Sequence, residues 1–157
     1  MMGLRLMAGG QPFLIDAEAV QEILMVAELH PLPQSHPALI GLLALHGESI
    51  PVLDLGLLLG LHGAGVAAVD AEGDFTDYAI GSRILLLAAL GGRYGLIVEQ
   101  VQGFFGVEAE AIRTMEHAAL FAPCCSGVWH SGEGPLPVLS SDALLRWLAA
   151  AAPPSGG

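Results

Sequence analysis

The stretch Ile40-Gly-Leu-Leu-Ala-Leu-His-Gly-Glu-Ser-Ile-Pro-Val-Leu-Asp54 decides how the rest of the chain is read. Two apolar runs flank Gly47-Glu48, and glycine at the first central position of a two-residue loop suits a type II′ turn, so the segment predicts two antiparallel strands. Pro51 has no N–H to give a neighbour, which places the second strand at a sheet edge or at a bulge. A related stretch returns near the C-terminus. Gly127 to Leu139 echoes Gly47-Glu48 and Ile50-Pro51-Val52-Leu53 with Gly132-Glu133 and Leu136-Pro137-Val138-Leu139. Further out, Gly9-Gly10, Leu14-Ile15 and Val20-Gln21 match Gly91-Gly92, Leu96-Ile97 and Val101-Gln102 at an offset of about 80 residues, which predicts a two-fold repeat of a small β unit.

Between these landmarks the pattern is mostly that of strands. Leu4–Ala8 and Pro12–Ile15 flank the Gly9-Gly10 turn as a first hairpin. Asp16 caps at most one helical turn, and a strand from Gln21 to Glu28 ends at His30-Pro31-Leu32-Pro33. Ser35 to Leu39 reads as a one-turn helix. Asp54 is an N-cap for a short apolar helix carrying Leu55, Leu57, Leu58, Leu59 and Leu61, interrupted by Gly56 and ended near Gly60 to Gly63. Residues 63–77 hold glycines with Asp70, Glu72, Asp74 and Asp77, which reads as a mobile acidic loop between the repeats. Strands resume from Arg83 to Leu90 and from Tyr94 to Val101, reaching Phe104-Phe105. Glu108 to Met115 reads as a helical turn, and Glu116 to Pro123 as a loop. Ser140-Ser141-Asp142 opens a C-terminal helix with Leu144, Leu145, Trp147 and Leu148 on one face, and residues 153–157 are expected to be a disordered tail.

Composition bounds the function. Of the 157 residues, 54% are apolar and 13% charged, more hydrophobic surface than a monomer of this size needs, which favours a face covered by a partner. The formal net charge is −11, with no lysine and only Arg5, Arg83, Arg93, Arg113 and Arg146, so nucleic acid and anionic membrane surfaces are poor partners. Adjacent Cys124 and Cys125 do not meet disulfide geometry with one another, and a reduced, cytosolic protein is expected. The N-terminus carries Arg5 in its apolar pattern and reads as neither secretory signal nor membrane span.

Chemistry is sparse. His30 and His36 are separated by prolines, His130 lies near Cys124 and Cys125 without a second Cys/His pair, and no metal-ligand spacing occurs. Neither Gly91-Gly92 nor Gly63-Ala64-Gly65 has phosphate-loop spacing or a following lysine. Glu108/Glu110 and the acids from Asp70 to Asp77 read as solvated faces. No catalytic residue, cofactor or metal is expected. His46, beside the hairpin turn with Glu48 two residues on, reads either as a recognition residue or as a solvated turn flank.

At these residues the chain resembles the CheW-like adaptor family of bacterial chemosensory systems over nearly its full length. The resemblance runs through Val20-Gln21-Glu22-Ile23, the Pro33 and Pro37 loop, Gly41-x-x-x-Leu45-x-Gly47-x-x-Ile50-Pro51-Val52-x-Asp54-Leu55, and Gly95-Leu96-Ile97-Val98 with Val101. It implies a mostly β fold of two packed five-stranded SH3-like β-barrels, interleaved in a single domain over residues 1–157, with short helices and a C-terminal helix. It further implies a non-catalytic adaptor between chemoreceptor cytoplasmic tips and the regulatory domain of a CheA-type histidine kinase, recruited to membrane-associated receptor arrays. Partner contacts would fall at Glu22, Ile23, Gly41, His46 and Gly47.

Two positions depart from that pattern: Ala44 stands where the family commonly has Asn, and His46 where it has Arg. A guanidinium offers five donors and a fixed charge, whereas a neutral imidazole offers one donor and one acceptor. A divergent array controlling pili or surface motility is therefore an alternative. Two other classes stay open, a self-associating β module without a kinase partner and a small enzyme that uses an acidic pair or a Cys125 brought to His117 or His130.

Overall fold

The computed structural model describes residues 1–26, 29–30, 36–70, 73–78, 80–89, 92–114, 124–132 and 134–151. Strands β1 (Met2–Ala8) and β2 (Gln11–Asp16) form the first hairpin, and Asp16 caps a 3₁₀ turn, Ala17–Ala19, by accepting from the Glu18 N–H. Strand β3 (Val20–Met25) leads toward the hairpin of β4 (Leu39–Leu45) and β5 (Glu48–Asp54), which ends in helix α1 (Leu55–Leu58). Strands β6 (Gly65–Asp70) and β7 (Gly73–Tyr78) pair with each other, and β8 (Arg83–Ala89), β9 (Gly92–Val98) and β10 (Gln100–Gly106) follow. A second 3₁₀ turn, Ala109–Ala111, opens onto β11 (Ile112–Thr114); β12 (Cys125–Ser131), β13 (Gly134–Leu139) and α2 (Ser141–Ala151) complete the chain.

The strands assemble into a sheet of order β10-β1-β2-β13-β12-β11, a sheet of order β3-β8-β9-β5-β4, and the β6-β7 ribbon. The molecule is mostly β in an SH3-like arrangement, as expected; among the described residues the named strands of each sheet form an open run rather than a closed five-stranded barrel, with the His30–Leu42 bridge joining the chain beyond β3 to β4. Register makes the repeat explicit. The hairpin pair Ala8↔Gln11 corresponds to Ala89↔Gly92, and the bulge beyond Val20 to the bulge beyond Val101, a common offset of 81 residues. Leu14-Ile15 thus corresponds to Gly95-Leu96, one residue from the match suggested by the letters. The repeated Val-Gln pair is explained by these bulges, since Gln21 and Gln102 are the residues left without a ladder partner. The parallel joints also agree, Val52↔Gly95 and Leu53↔Leu96 in one sheet, Val138↔Leu14 and Leu139↔Ile15 in the other. Each repeat gives its third strand away: β3 pairs with β8 of the second repeat, and β10 with β1 of the first.

Three apolar cores result. The largest lies between the sheets, where Leu4, Leu6, Phe13 and Ile15 meet Leu85, Leu87, Tyr94 and Leu96 beneath Leu144 and Leu148 of α2. Fully buried side chains of this size stabilise by about 1.5–3 kcal/mol each, so this layer dominates the cohesion of the two halves. The Tyr94 hydroxyl donates to the Ser141 carbonyl at 2.8 Å and anchors α2. A second core inside the β3-to-β4 sheet gathers Leu43, Ile50, Val52, Ile84, Leu86 and Ile97, and a smaller third holds Leu14, Val107 and Val138. The halves exchange bulk at equivalent sites. A Cβ on Gly3 would stand 2.7 Å from Leu14 Cδ1, whereas at the corresponding pair glycine is at 95 and the bulk at Ile84, with a Cβ on Gly95 3.0 Å from Ile84 Cγ2.

Several expectations need correction. The turn of the decisive hairpin is His46-Gly47, not Gly47-Glu48: Leu45 pairs with Glu48, and φ is +50° at His46 and +80° at Gly47, the signature of type I′. Such a turn follows the twist of its strands and needs two left-handed residues, of which glycine supplies one and histidine tolerates the other. Strand β5 is interior, between β4 and β9; the bulge is in β4 at Ile40, and Pro51 falls one residue before the parallel joint, where its missing N–H breaks no bond to β9. The one-turn helix expected from Ser35 to Leu39 is a turn at residues 37–38, with the Leu39 N–H on the His36 carbonyl at 2.9 Å; Ser35 lies outside the described residues. Gly56 is a packing glycine, because a Cβ there would stand 2.1 Å from the His62 carbonyl oxygen, and α1 stops at Leu58. Residues 65–70 and 73–78 pair as β6 and β7 instead of forming a loop, and the chain from Glu108 turns once at Ala109–Ala111 before becoming β11, Met115 lying outside the described residues. The loop of residues 116–123 and the tail of residues 153–157 lie outside the described residues.

Candidate protein-docking surfaces

Sheet edges are where unpaired main-chain groups and poorly covered side chains coincide. Strand β3 ends one sheet, and on it Glu22, Ile23 and Met25 are exposed, Met25 to 70%. Ile23 lies opposite Leu85 of the central core and Glu22 opposite Leu86 of the second, so the two point to different faces of the edge. At the corresponding edge of the other sheet, β10 exposes Phe104 (57%) and Phe105 (40%), with Met1 and Met2 exposed on the adjoining strand. These aromatics were not among the expected contact residues. The signal for them was the repeated Val-Gln pair, which puts Phe104 in the place of Ile23.

The other expected contacts fall at the opposite end of the β3-to-β4 sheet. Gly41 is buried, because the chain beyond β3 crosses it: His30 and Leu42 exchange main-chain hydrogen bonds of 2.9 and 2.8 Å. A Cβ on Gly41 would stand 2.8 Å from the His30 carbonyl oxygen, so the absence of a side chain at Gly41 is what admits the crossing. Gly127 repeats the arrangement under β11, where a Cβ would stand 2.6 Å from the Arg113 oxygen. His46 and Gly47 form the exposed tip with Ala44 and Ser49 beside it. Glu48 at the foot of the turn accepts from Arg93 Nη1 at 2.6 Å, an exposed pair that fixes geometry more than it adds stability. The structure thus separates the expected residues into an edge (Glu22, Ile23), a tip (His46, Gly47) and a buried spacer (Gly41).

Buried polar chemistry in the described residues is structural. Asp54 is 2% exposed; its carboxylate accepts from the Leu57 N–H at 3.2 Å and the Ala64 N–H at 2.9 Å, capping α1 and fastening the root of the β6-β7 ribbon. Burial raises its pKa, opposed by those hydrogen bonds and assisted by the charge of Glu99. Burial also pushes the Cys125 thiol up to about 12, helped by Cys124, so at neutral pH it is a protonated thiol rather than a nucleophile. His130 is exposed, and His117 lies outside the described residues. Among the described residues no three His, Cys, Asp or Glu side chains converge as metal ligands.

Comparison with known proteins agrees with this arrangement. The family model described as CheW-like domain matches residues 2–149. The crystal structure of scaffolding protein TtCheW from Thermoanaerobacter tengcongensis superposes with a TM-score of 0.78 at 19% identity, covering 91% of this chain and 86% of that one. A search of curated proteins gave no match.

Proposed function

Because the chain belongs to the CheW-like domain family, a family of chemotaxis scaffolds, we propose that it is a non-catalytic adaptor that joins chemoreceptor cytoplasmic tips to the regulatory domain of a CheA-type histidine kinase. The observation that carries this reading is the pair of repeat-equivalent edges, β3 and β10, each with apolar side chains left uncovered. Two such edges on one rigid core let the protein hold two neighbours at once, which is what an adaptor at a cytoplasmic receptor array requires. Ala44 and His46 at the tip favour, as a second reading, the receptors of a divergent array that governs pili or surface motility.

Binding of the cognate kinase regulatory domain tests the proposal. Ile23→Asp places a charge on an exposed site and is expected to leave unfolding within about 0.5 kcal/mol of wild type while weakening binding about tenfold or more. Unchanged affinity would remove β3 from the interface. His46→Gly separates stability from recognition. Relief of the left-handed backbone is expected to raise the unfolding free energy by about 1 kcal/mol, and receptor-fragment binding to fall; a variant that is more stable and binds equally well would make His46 a turn residue only.

A further inference from the structure

The two edges made equivalent by the repeat have diverged in chemistry. On β3, Glu22 stands on one face and Ile23 and Met25 on the other, and Glu18 is exposed just before the strand. Neither β3 nor the 3₁₀ turn before it contains a cation, and Arg83, opposite Met25, turns its guanidinium to the carbonyls of Ile80 and Ser82 at 2.7 and 2.8 Å. The edge of β3 therefore sets one carboxylate, Glu22, on the face where Leu24 packs into the second core, and Ile23 and Met25 on the other, beside main-chain groups that no described strand pairs. Strand β10 has Gly103, Phe104, Phe105 and Gly106 where β3 has Glu22, Ile23, Leu24 and Met25, with Gln100 and Gln102 as its polar side chains, and no residue of β10 itself is charged.

We infer that β3 is extended by a strand of another protein in which basic and apolar residues alternate. Main-chain pairing supplies affinity, the basic side chains meet Glu22 and Glu18, and the apolar ones cover Ile23 and Met25. A second copy of β3 is the wrong occupant, because antiparallel pairing of two such edges brings like charges together. The aromatic edge of β10 has no carboxylate of its own and instead carries the Arg5 guanidinium on Gln102, Nε to Oε1 at 2.8 Å, so it does not share this preference and the two docking edges are not interchangeable. The inference rests on the adaptor reading and names the chemistry of one of its partners.

Three synthetic octapeptides probe the full-length protein: alternating Lys-Val, alternating Glu-Val, and Lys-Val with two central valines replaced by proline. Amide chemical shifts report where each binds. The Lys-Val peptide is expected to perturb Val20–Met25, to bind about tenfold tighter than either of the others, and to lose about tenfold in affinity when salt rises from about 25 to about 300 mM. Glu18→Lys with Glu22→Lys should reverse the preference toward Glu-Val, and Glu22→Gln should weaken it. Perturbation centred on β10, equal binding of the proline peptide, displacement of the peptide by self-association, or an unreversed preference would each overturn the inference. Kinase-domain binding by a protein that does not distinguish the peptides sinks this inference alone; peptide discrimination without kinase-domain binding sinks the adaptor reading alone.

Discussion

Gly41→Asp and Gly127→Asp are each expected to lower the unfolding free energy by about 3 kcal/mol. At both sites the new Cβ meets a main-chain oxygen first and a side-chain carbon next, His30 oxygen at 2.8 Å and Leu29 Cβ at 3.1 Å in one case, Arg113 oxygen at 2.6 Å and Ile112 Cγ2 at 3.0 Å in the other. Carbonyl oxygens cannot swing aside as a side-chain tip does, and a carboxylate delivered next to them adds repulsion. The His30–Leu42 hydrogen bonds are the first to be lost. Denaturant unfolding of the two variants beside Ile23→Asp checks this: the glycine variants should move together, although Gly127 is remote from the His46 tip. A Gly41→Asp protein that unfolds like wild type would show that the crossing segment is not held as described. Loss of partner binding by Gly41→Asp therefore says nothing about direct contact.

Asp54→Ala carries the second large effect, a loss of about 3 kcal/mol. About 1 kcal/mol is the helix cap on Leu57, and about 2 kcal/mol the buried Ala64 N–H left without an acceptor. The carboxylate also leaves a mark on the pH dependence. Its folded pKa is raised above the ordinary 3.8, chiefly by burial, so the folded state binds this proton more tightly than the unfolded chain. The contribution of Asp54 to stability therefore falls as pH rises from about 4 through its folded pKa and is flat above it. Unfolding curves of wild type and Asp54→Asn, compared between neutral pH and about pH 4, should show the difference shifting in favour of wild type as pH falls. A constant difference would place no raised carboxyl pKa at Asp54.

Local chemistry made much of this fold legible. Gly9-Gly10, the Pro51 and Pro137 strands, and the caps at Asp54 and Ser140 mark their elements within a few residues, because each acts through its own backbone. What letters alone did not give was long-range pairing. That β3 leaves its own repeat for β8 depends on a match between Leu24 and Ile84 that no local pattern encodes. Acids and glycines lower the strand propensity of the β6-β7 ribbon, so its sequence reads as a loop, and the pairing of Val66 with Asp77 through Asp70 with Gly73 outweighs that preference. Surface residues were the least legible. A glycine gives no sign of exposure, so the burial of Gly41 under a crossing segment is not legible from its pattern, and the exposure of Phe104 goes unsignalled because an aromatic on a strand is more often core than edge.

The exchange of third strands has a consequence for how the protein is made. As the nascent chain leaves the ribosome, Leu24 must wait for Ile84, and Leu4 for Phe104, before either edge finds its neighbour. At synthesis rates of about 5–20 residues per second, the first repeat stands incomplete for several seconds, with β1 and β3 bare along sides that later become interior. Folding to completion is therefore a late, largely post-translational event: truncation before β8 leaves both β1 and β3 bare, and truncation between β9 and β10 still leaves β1 without its neighbour.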